Sequence, residues 1–162
     1  MIDPRAYSTT KLVPPAPLPA VSRRRLRKVL NPIPAPTECR YCGGPVGLYN
    51  NSVLYRKPFG TWPYMYLCVP CDAYVGLHPG TDIPLGTLAN KALRDASKEH
   101  KATFYELVEV LGLDRTEAYA TLADKMKIDR AECHFGWFDI EQCEQAGAIC
   151  REALLVARDP NG

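Results

Sequence analysis

The apolar positions along this chain change period twice. Over residues 1–36 they follow no helical or strand period. From about residue 37 to 80 they fall in short runs that read as strands. Val46 to Tyr49 and Ser52 to Tyr55 flank Asn50-Asn51, a hairpin turn signal. Tyr64 to Leu67 leads into Cys68, and Ala73 to Leu77 leads out of Cys71. After Pro79-Gly80 the spacing becomes three or four residues. Leu85, Ala89, Ala92, Leu93, Ala96, His100, Phe104, Leu107 and Leu111 form one helical stripe ended by Gly112, with a break allowed near residues 100–103. Asp114 with Glu117, and Asp139 with Gln142, have the spacing of capping boxes. The helix after the first carries Ala118, Tyr119, Leu122, Ala123 and Met126. The last presents Ile140, Cys143, Gly147, Cys150 and Leu154 on one face.

These patterns predict an α+β protein in three parts. Residues 1–36 form a Pro-rich, basic, disordered or extended arm; residues 37–80 a small ribbon of short antiparallel strands; residues 81–158 a unit of three to four helices packed on the ribbon. The arm holds eight of the fifteen prolines, and its expected inability to bury apolar surface is the reason for reading it as unfolded. There is no internal repeat.

Four cysteines fix the chemistry of the ribbon. Cys39, Cys42, Cys68 and Cys71 make two Cys-x2-Cys pairs separated by 25 residues. Zinc takes four tetrahedral ligands, and a two-residue gap lets both thiolates of a pair reach one ion. Each pair then sits at a hairpin tip, as in a zinc ribbon, and the cofactor expected is one structural Zn2+. Four thiolates leave no open position for water, so this metal is scaffold rather than catalyst. A second metal site built from Cys133, His134 and Cys143 is a poor candidate. Cys150 is excluded from it, lying about 10.5 Å from Cys143 along a helix, and both cysteines sit on the apolar stripe, where cysteine behaves as a small hydrophobe.

Charge is unevenly spread. Residues 1–36 balance to +6, residues 37–80 to +1 and residues 81–162 to −5. Arg23, Arg24, Arg25, Arg27 and Lys28 concentrate the positive charge, and Arg40, Arg56 and Lys57 add to it on the ribbon. These are the candidate contacts for nucleic acid or an acidic partner. Trp62 and Tyr64 share one strand face with Tyr66; they either stack bases or cover the ribbon as its core. His78, His100, Cys133 and His134 make a possible second site. His100, on an apolar helix face, is expected to be a hydrogen-bonded core residue, and His134 to pack against the flanking helices or cap one.

Phosphate-loop, dinucleotide-binding and His-Glu-x-x-His motifs are missing. A zinc-ribbed His-Asn-His nuclease shares the paired cysteines but needs a histidine between them, and residues 43–67 contain none. No apolar run is long enough for a membrane span and no signal peptide is visible. Thiols kept available for zinc point to a reducing cytoplasm.

Beyond the cysteines, the chain resembles a zinc-finger-containing domain family of unknown function found in bacteriophages and prophages. The resemblance rests on Cys39-Arg-Tyr-Cys42-Gly-Gly, on Tyr66-Leu-Cys-Val-Pro-Cys-Asp-Ala-Tyr-Val-Gly-Leu-His78, on Pro84-Leu-Gly-Thr-Leu-Ala-Asn90, on Ala118-Tyr-Ala-Thr-Leu-Ala123 and on Glu132-Cys-His-Phe-Gly136. It covers residues from about 38 to 150 and leaves out the basic arm. It implies a zinc finger at the four cysteines and a phage-encoded protein working in the cytoplasm of a bacterial host. It supplies no reaction. The expected function is a non-enzymatic binding module for nucleic acid or a host nucleoprotein complex, with no membrane. The alternatives are a protein-interaction factor docking on a host enzyme or the transcription or translation apparatus, and an enzyme using His78, His100 and His134.

Overall fold

A computed structural model describes residues 1–161. The chain divides into two compact units, residues 1–90 and residues 91–162.

The first unit is built on a three-stranded antiparallel sheet of order β1-β2-β3, with β1 Val46–Asn50, β2 Tyr64–Cys68 and β3 Tyr74–Gly76. Central β2 is buried from Met65 to Cys68. In register, Val46 faces Cys68, Asn50 faces Tyr64, and Tyr66 faces Val75. The expected hairpin at Asn50-Asn51 does not form, because β1 pairs with β2 instead and Ser52–Tyr55 makes one helical turn, α2. The two asparagines cause this. Asn50 Oδ1 accepts from the Ser52 N–H at 2.9 Å, which starts the turn. Asn51 reaches forward to the Phe59 backbone and closes the loop.

The helical stripe expected to begin at Leu85 also starts later. Leu85 donates to the Gly76 carbonyl at 2.9 Å, and Tyr74 and Ala89 exchange backbone bonds at 3.0 and 3.1 Å. Residues 84–89 therefore run along β3 as irregular extended chain. Pro84 and Gly86 weaken helix in this stretch, and pairing with a strand edge satisfies its backbone. Residues 81–90 consequently belong with the ribbon.

The N-terminal segment is not a free arm. It carries a 3-10 turn at Pro4–Tyr7 and one helical turn, α1, at Arg23–Leu26. Ala6, Leu26 and Val29 are buried in a cluster with Ile83, and Leu18 is buried against Tyr66 and Leu77. Arg5 bonds both carboxylate oxygens of Asp82 at 2.8 and 2.9 Å and also pairs with Asp3 at 2.7 Å. The Arg5 guanidinium, as hydrogen-bond donor, holds the Asp3 carboxyl below its usual range. Two members of the basic run serve the same purpose: Arg23 bonds the carbonyls of Ser8 and Thr10, and Arg27 bonds that of Ala6 at 3.3 Å. Apolar residues without a period can still bury surface when irregular backbone gathers them into one cluster, as it does Ala6, Leu26 and Val29. Prolines reduce the entropy lost in fixing such a chain.

The second unit consists of α3 Lys91–Leu111, α4 Arg115–Met126 and α5 Ile140–Arg158. The break allowed in α3 is absent. Asp114 caps α4 through the Thr116 N–H, and Asp139 with Gln142 forms the expected capping box on α5. α3 packs chiefly against α5. Where they meet, His100 lies over Gly147 so closely that a Cβ there would stand 2.0 Å from Nδ1. Phe104, Tyr119, Phe135 and Phe138 make an aromatic core, with ring centroids 4.5 to 5.8 Å apart from one ring to the next. Cys143 and Cys150 are buried on α5, as their place on the stripe requires.

Two variants check these packing claims. Gly147→Ala should destabilise the helical unit by about 1–3 kcal/mol through overpacking. Much of the loss should return in the Gly147→Ala, His100→Ala double variant, a coupling readable from chemical denaturation. Arg5→Ala should cost about 1–3 kcal/mol, discounted for its partial exposure, and speed proteolysis within residues 1–36. Asp3 has a depressed folded-state pKa, so its contribution is complete above its unfolded value of about 3.9 and disappears as pH falls through the folded one. The proteolysis difference between wild type and Arg5→Ala should therefore shrink in strong acid.

Candidate metal centre

Each cysteine pair opens a tight backbone knuckle, and the two knuckles repeat one pattern. In the first, Cys39 N–H donates to the Gly44 carbonyl and Gly43 N–H to the Cys39 carbonyl, both at 2.8 Å. In the second, Cys68 N–H donates to the Ala73 carbonyl at 2.9 Å and Asp72 N–H to the Cys68 carbonyl at 2.8 Å. The residue after the second cysteine is left-handed in both, with φ 73° at Gly43 and 59° at Asp72. Glycine takes that conformation freely, and aspartate is among the residues that tolerate it. A side chain on Gly44 would stand 3.2 Å from the Cys42 sulfur and 3.5 Å from that of Cys68, so this glycine leaves room for the sulfurs.

The pairs meet because β1 and β2 are in register across the sheet. Val46, just after the first knuckle, faces Cys68, which opens the second. The Cys39 and Cys71 sulfurs are 3.5 Å apart and those of Cys42 and Cys68 3.4 Å. All four Sγ atoms lie within 4.8 Å of one another. Zinc–sulfur bonds of about 2.3 Å place tetrahedral sulfurs about 3.8 Å apart, so the donor set fits zinc. Among the described residues, no other group of three or more His, Cys, Asp or Glu converges in this way.

A model of the zinc-finger-containing domain family matches residues 35–153. The chain belongs to that family. No curated protein and no solved structure matches it. In this zinc finger, Cys39, Cys42, Cys68 and Cys71 hold one structural zinc ion.

The surroundings favour a thiolate at Cys39. The Cys39 sulfur accepts from the Tyr41 N–H and the Cys42 sulfur from the Gly44 N–H, both at 3.4 Å. Burial opposes ionisation of Cys39, but the Tyr41 and Cys42 N–H groups and the neighbouring thiols bring it down to about 7. Burial pushes Cys68 the other way, up to about 12. Without a cation the four sulfurs therefore cannot all be charged near neutrality; with one, four thiolates become compatible. Cys39, Cys68, Ala73 and Leu88 form the buried floor beneath the site, and Tyr41 donates its hydroxyl to the Leu88 carbonyl at 3.2 Å. The cysteine spacing and Gly43-Gly44 were readable in the sequence. The support from Leu88 was not, because it comes from the segment that pairs with β3.

The other candidate residues have varied placements. Arg24, Arg25, Lys28, Arg40, Arg56 and Lys57 are exposed, whereas Arg23 and Arg27 hold the N-terminal segment. Arg40 donates to the Tyr41 hydroxyl at 2.7 Å. Trp62 and Tyr64 are half-buried, in edge contact at 5.0 Å, and Trp62 donates to the Thr81 carbonyl at 3.0 Å. They pack around the cluster of Leu18, Tyr66 and Leu77, which is the covering role weighed against base stacking.

His78 lies in the first unit, half-buried, with its pKa lowered by burial. His100, Cys133 and His134 lie in the second. His100 is buried beside Arg151, 3.4 Å from its guanidinium. His134 Nδ1 accepts from the Gly136 N–H at 3.0 Å, and its ring stacks on Tyr119 at 5.9 Å. It thus caps a 3-10 turn, Phe135–Trp137. Cys133 is buried, with its thiol pKa raised by burial.

Elemental analysis should find one zinc per chain, falling towards none in Cys39→Ser or Cys68→Ser. Chelation should unfold the first unit, since structural zinc supplies about 10–16 kcal/mol in zinc-finger peptides. Protons compete with zinc for thiolates, so the apparent affinity should fall throughout as pH is lowered and more steeply below about 7, where Cys39 also protonates, measurable by competition with a chromogenic chelator.

Proposed function

We propose that this protein is a non-enzymatic binding module for nucleic acid or a nucleoprotein complex, with its zinc as scaffold. The observation that carries this reading is that charge divides where the fold divides. Residues 1–90 hold ten Lys and Arg against four Asp and Glu, a balance of +6, while residues 91–162 come to −4. Asp3 and Asp82 are already engaged by Arg5. Zinc with four thiolates carries −2 and leaves the first unit at about +4.

Order in the N-terminal segment strengthens the reading. Arg24, Arg25 and Lys28 project from a fixed backbone rather than a solvated tail, so less entropy is lost when they meet phosphate. None of the seven cysteines is in a disulfide, which suits a reducing cytoplasm. No helix is long and apolar enough to cross a membrane.

A second reading, docking on a host protein, is supported by the second unit. Val110 and Leu111 on α3 and Leu155 and Val156 on α5 are exposed apolar residues on an acidic body. A pulldown from bacterial lysate treated with nuclease separates the two, since only a direct protein partner survives the treatment.

Binding to a labelled oligonucleotide, followed by anisotropy from 50 to 200 mM salt, tests the first reading. Log affinity should fall linearly with log salt. The Arg24→Glu, Arg25→Glu, Lys28→Glu variant should weaken binding and reduce the slope by about one for each phosphate it no longer neutralises. Binding indifferent to salt and to these charges would sink it.

A further inference from the structure

The loop between β1 and β2 presents aromatic rings to water on a backbone fixed from within. Asn51 is only 8% exposed. Its Nδ2 donates to the Phe59 carbonyl and its Oδ1 accepts from the Phe59 N–H, both at 2.9 Å. Its own N–H donates to the Pro63 carbonyl at 2.7 Å. The buried side-chain amide therefore satisfies both backbone groups of Phe59, and the Asn51 backbone N–H ties the loop to the residue before β2. Yet the Phe59 ring so positioned is 71% exposed.

Beside it, Tyr55 is 43% exposed, in edge contact with Phe59 at 6.0 Å and with Tyr74 at 6.4 Å. The Tyr55 and Tyr74 hydroxyls are 3.0 Å apart, which fixes the tyrosine end of the group. A T-shaped pair with one ring this exposed keeps most of a π surface in water. Between the two rings in sequence come Arg56 and Lys57, both exposed and neither in an ion pair among the described residues. Arg56 ends the helical turn in the left-handed region, φ 67°, with its N–H bonded to the Ser52 carbonyl at 2.8 Å. Residues 39–71 contain no Asp or Glu.

We propose that Tyr55 and Phe59, with Arg56 and Lys57, form a stacking platform for single-stranded nucleic acid. The proposal rests on the nucleic-acid reading above and names the ligand form and the surface. Exposed rings beside cations outside any ion pair are the combination that binds a single strand: bases stack on the rings while phosphates meet the charges. A duplex hides its base faces, so the rings contribute little to binding it. The buried amide removes the entropy that a loose loop would lose on stacking. Trp62 and Tyr64, the aromatic pair that strand alternation points to, are already packed.

The test uses the zinc-loaded full chain and two fluorescent probes, a 12-nucleotide oligo(dT) and a blunt duplex of equal length. Phe59→Ala should weaken oligo(dT) binding about 5- to 100-fold with zinc content unchanged, and Phe59→Trp should retain it. Arg56→Ala, Lys57→Ala should lower the oligo(dT) salt slope by about 1.4, whereas Phe59→Ala should leave the slope alone. Duplex binding should be insensitive to Phe59→Ala. If Phe59→Ala binds oligo(dT) as tightly as wild type, the platform is wrong while nucleic-acid binding stands. If wild type binds neither probe, both readings fall. A zinc-loaded Phe59→Ala that loses a nuclease-resistant protein partner but not oligo(dT) would make the surface a protein contact and overturn the proposal.

Discussion

Bringing four thiolates within bonding reach of one dication is the constraint on which the first unit depends. Burial and mutual repulsion oppose charging these sulfurs together, and the zinc ion reverses that balance. The geometry needed is narrow, with sulfurs about 3.8 Å apart. Two matching knuckles and the register of β1 on β2 supply it. The small sheet gains from this support, because its strands of three to five residues bury little apolar surface.

Around the metal, irregular chain is held by polar contacts that look optional in a sequence. Arg5 joins Asp3 to Asp82, Arg23 and Arg27 bind carbonyls of the N-terminal segment, and Asn51 closes the loop to Phe59. Irregular backbone leaves carbonyls and N–H groups unpaired, and side-chain donors and acceptors make up that deficit. A run of five cations among six residues is thus divided. Arg23 and Arg27 tie down the N-terminal segment, and Arg24, Arg25 and Lys28 are exposed. The same division applies to the aromatics, where Trp62 and Tyr66 are engaged in packing and Phe59 is held out to solvent.

The second unit depends on a different constraint, that of close steric fit. His100 sits where Gly147 leaves space, and Cys143 and Cys150 are buried so that their thiols are pushed up to about 11. At that pKa they remain neutral and pack as small apolar groups. Their place on the α5 stripe made this role legible beforehand, as did the Asp139 and Gln142 capping box. The beginning of α3 was not legible, since Leu85 and Ala89 fit a helical stripe equally well until β3 claims them.

By itself the sequence determined the metal ligands, the helices after residue 90 and the two caps, because each depends on residues close together in the chain. Cysteine spacing, a 3.6-residue period and a cap three residues from its partner are local geometry. Only the tertiary structure decided that residues 1–36 are ordered, that β1 pairs with β2 rather than with its neighbour, that residues 84–89 run along β3, and that Phe59 rather than Trp62 faces water. Those outcomes turn on hydrogen bonds and burial between residues distant in sequence, such as Arg5 with Asp82 and Leu18 with Tyr66. No local pattern encodes them, since the same side chains would suit solvent until a partner comes within reach.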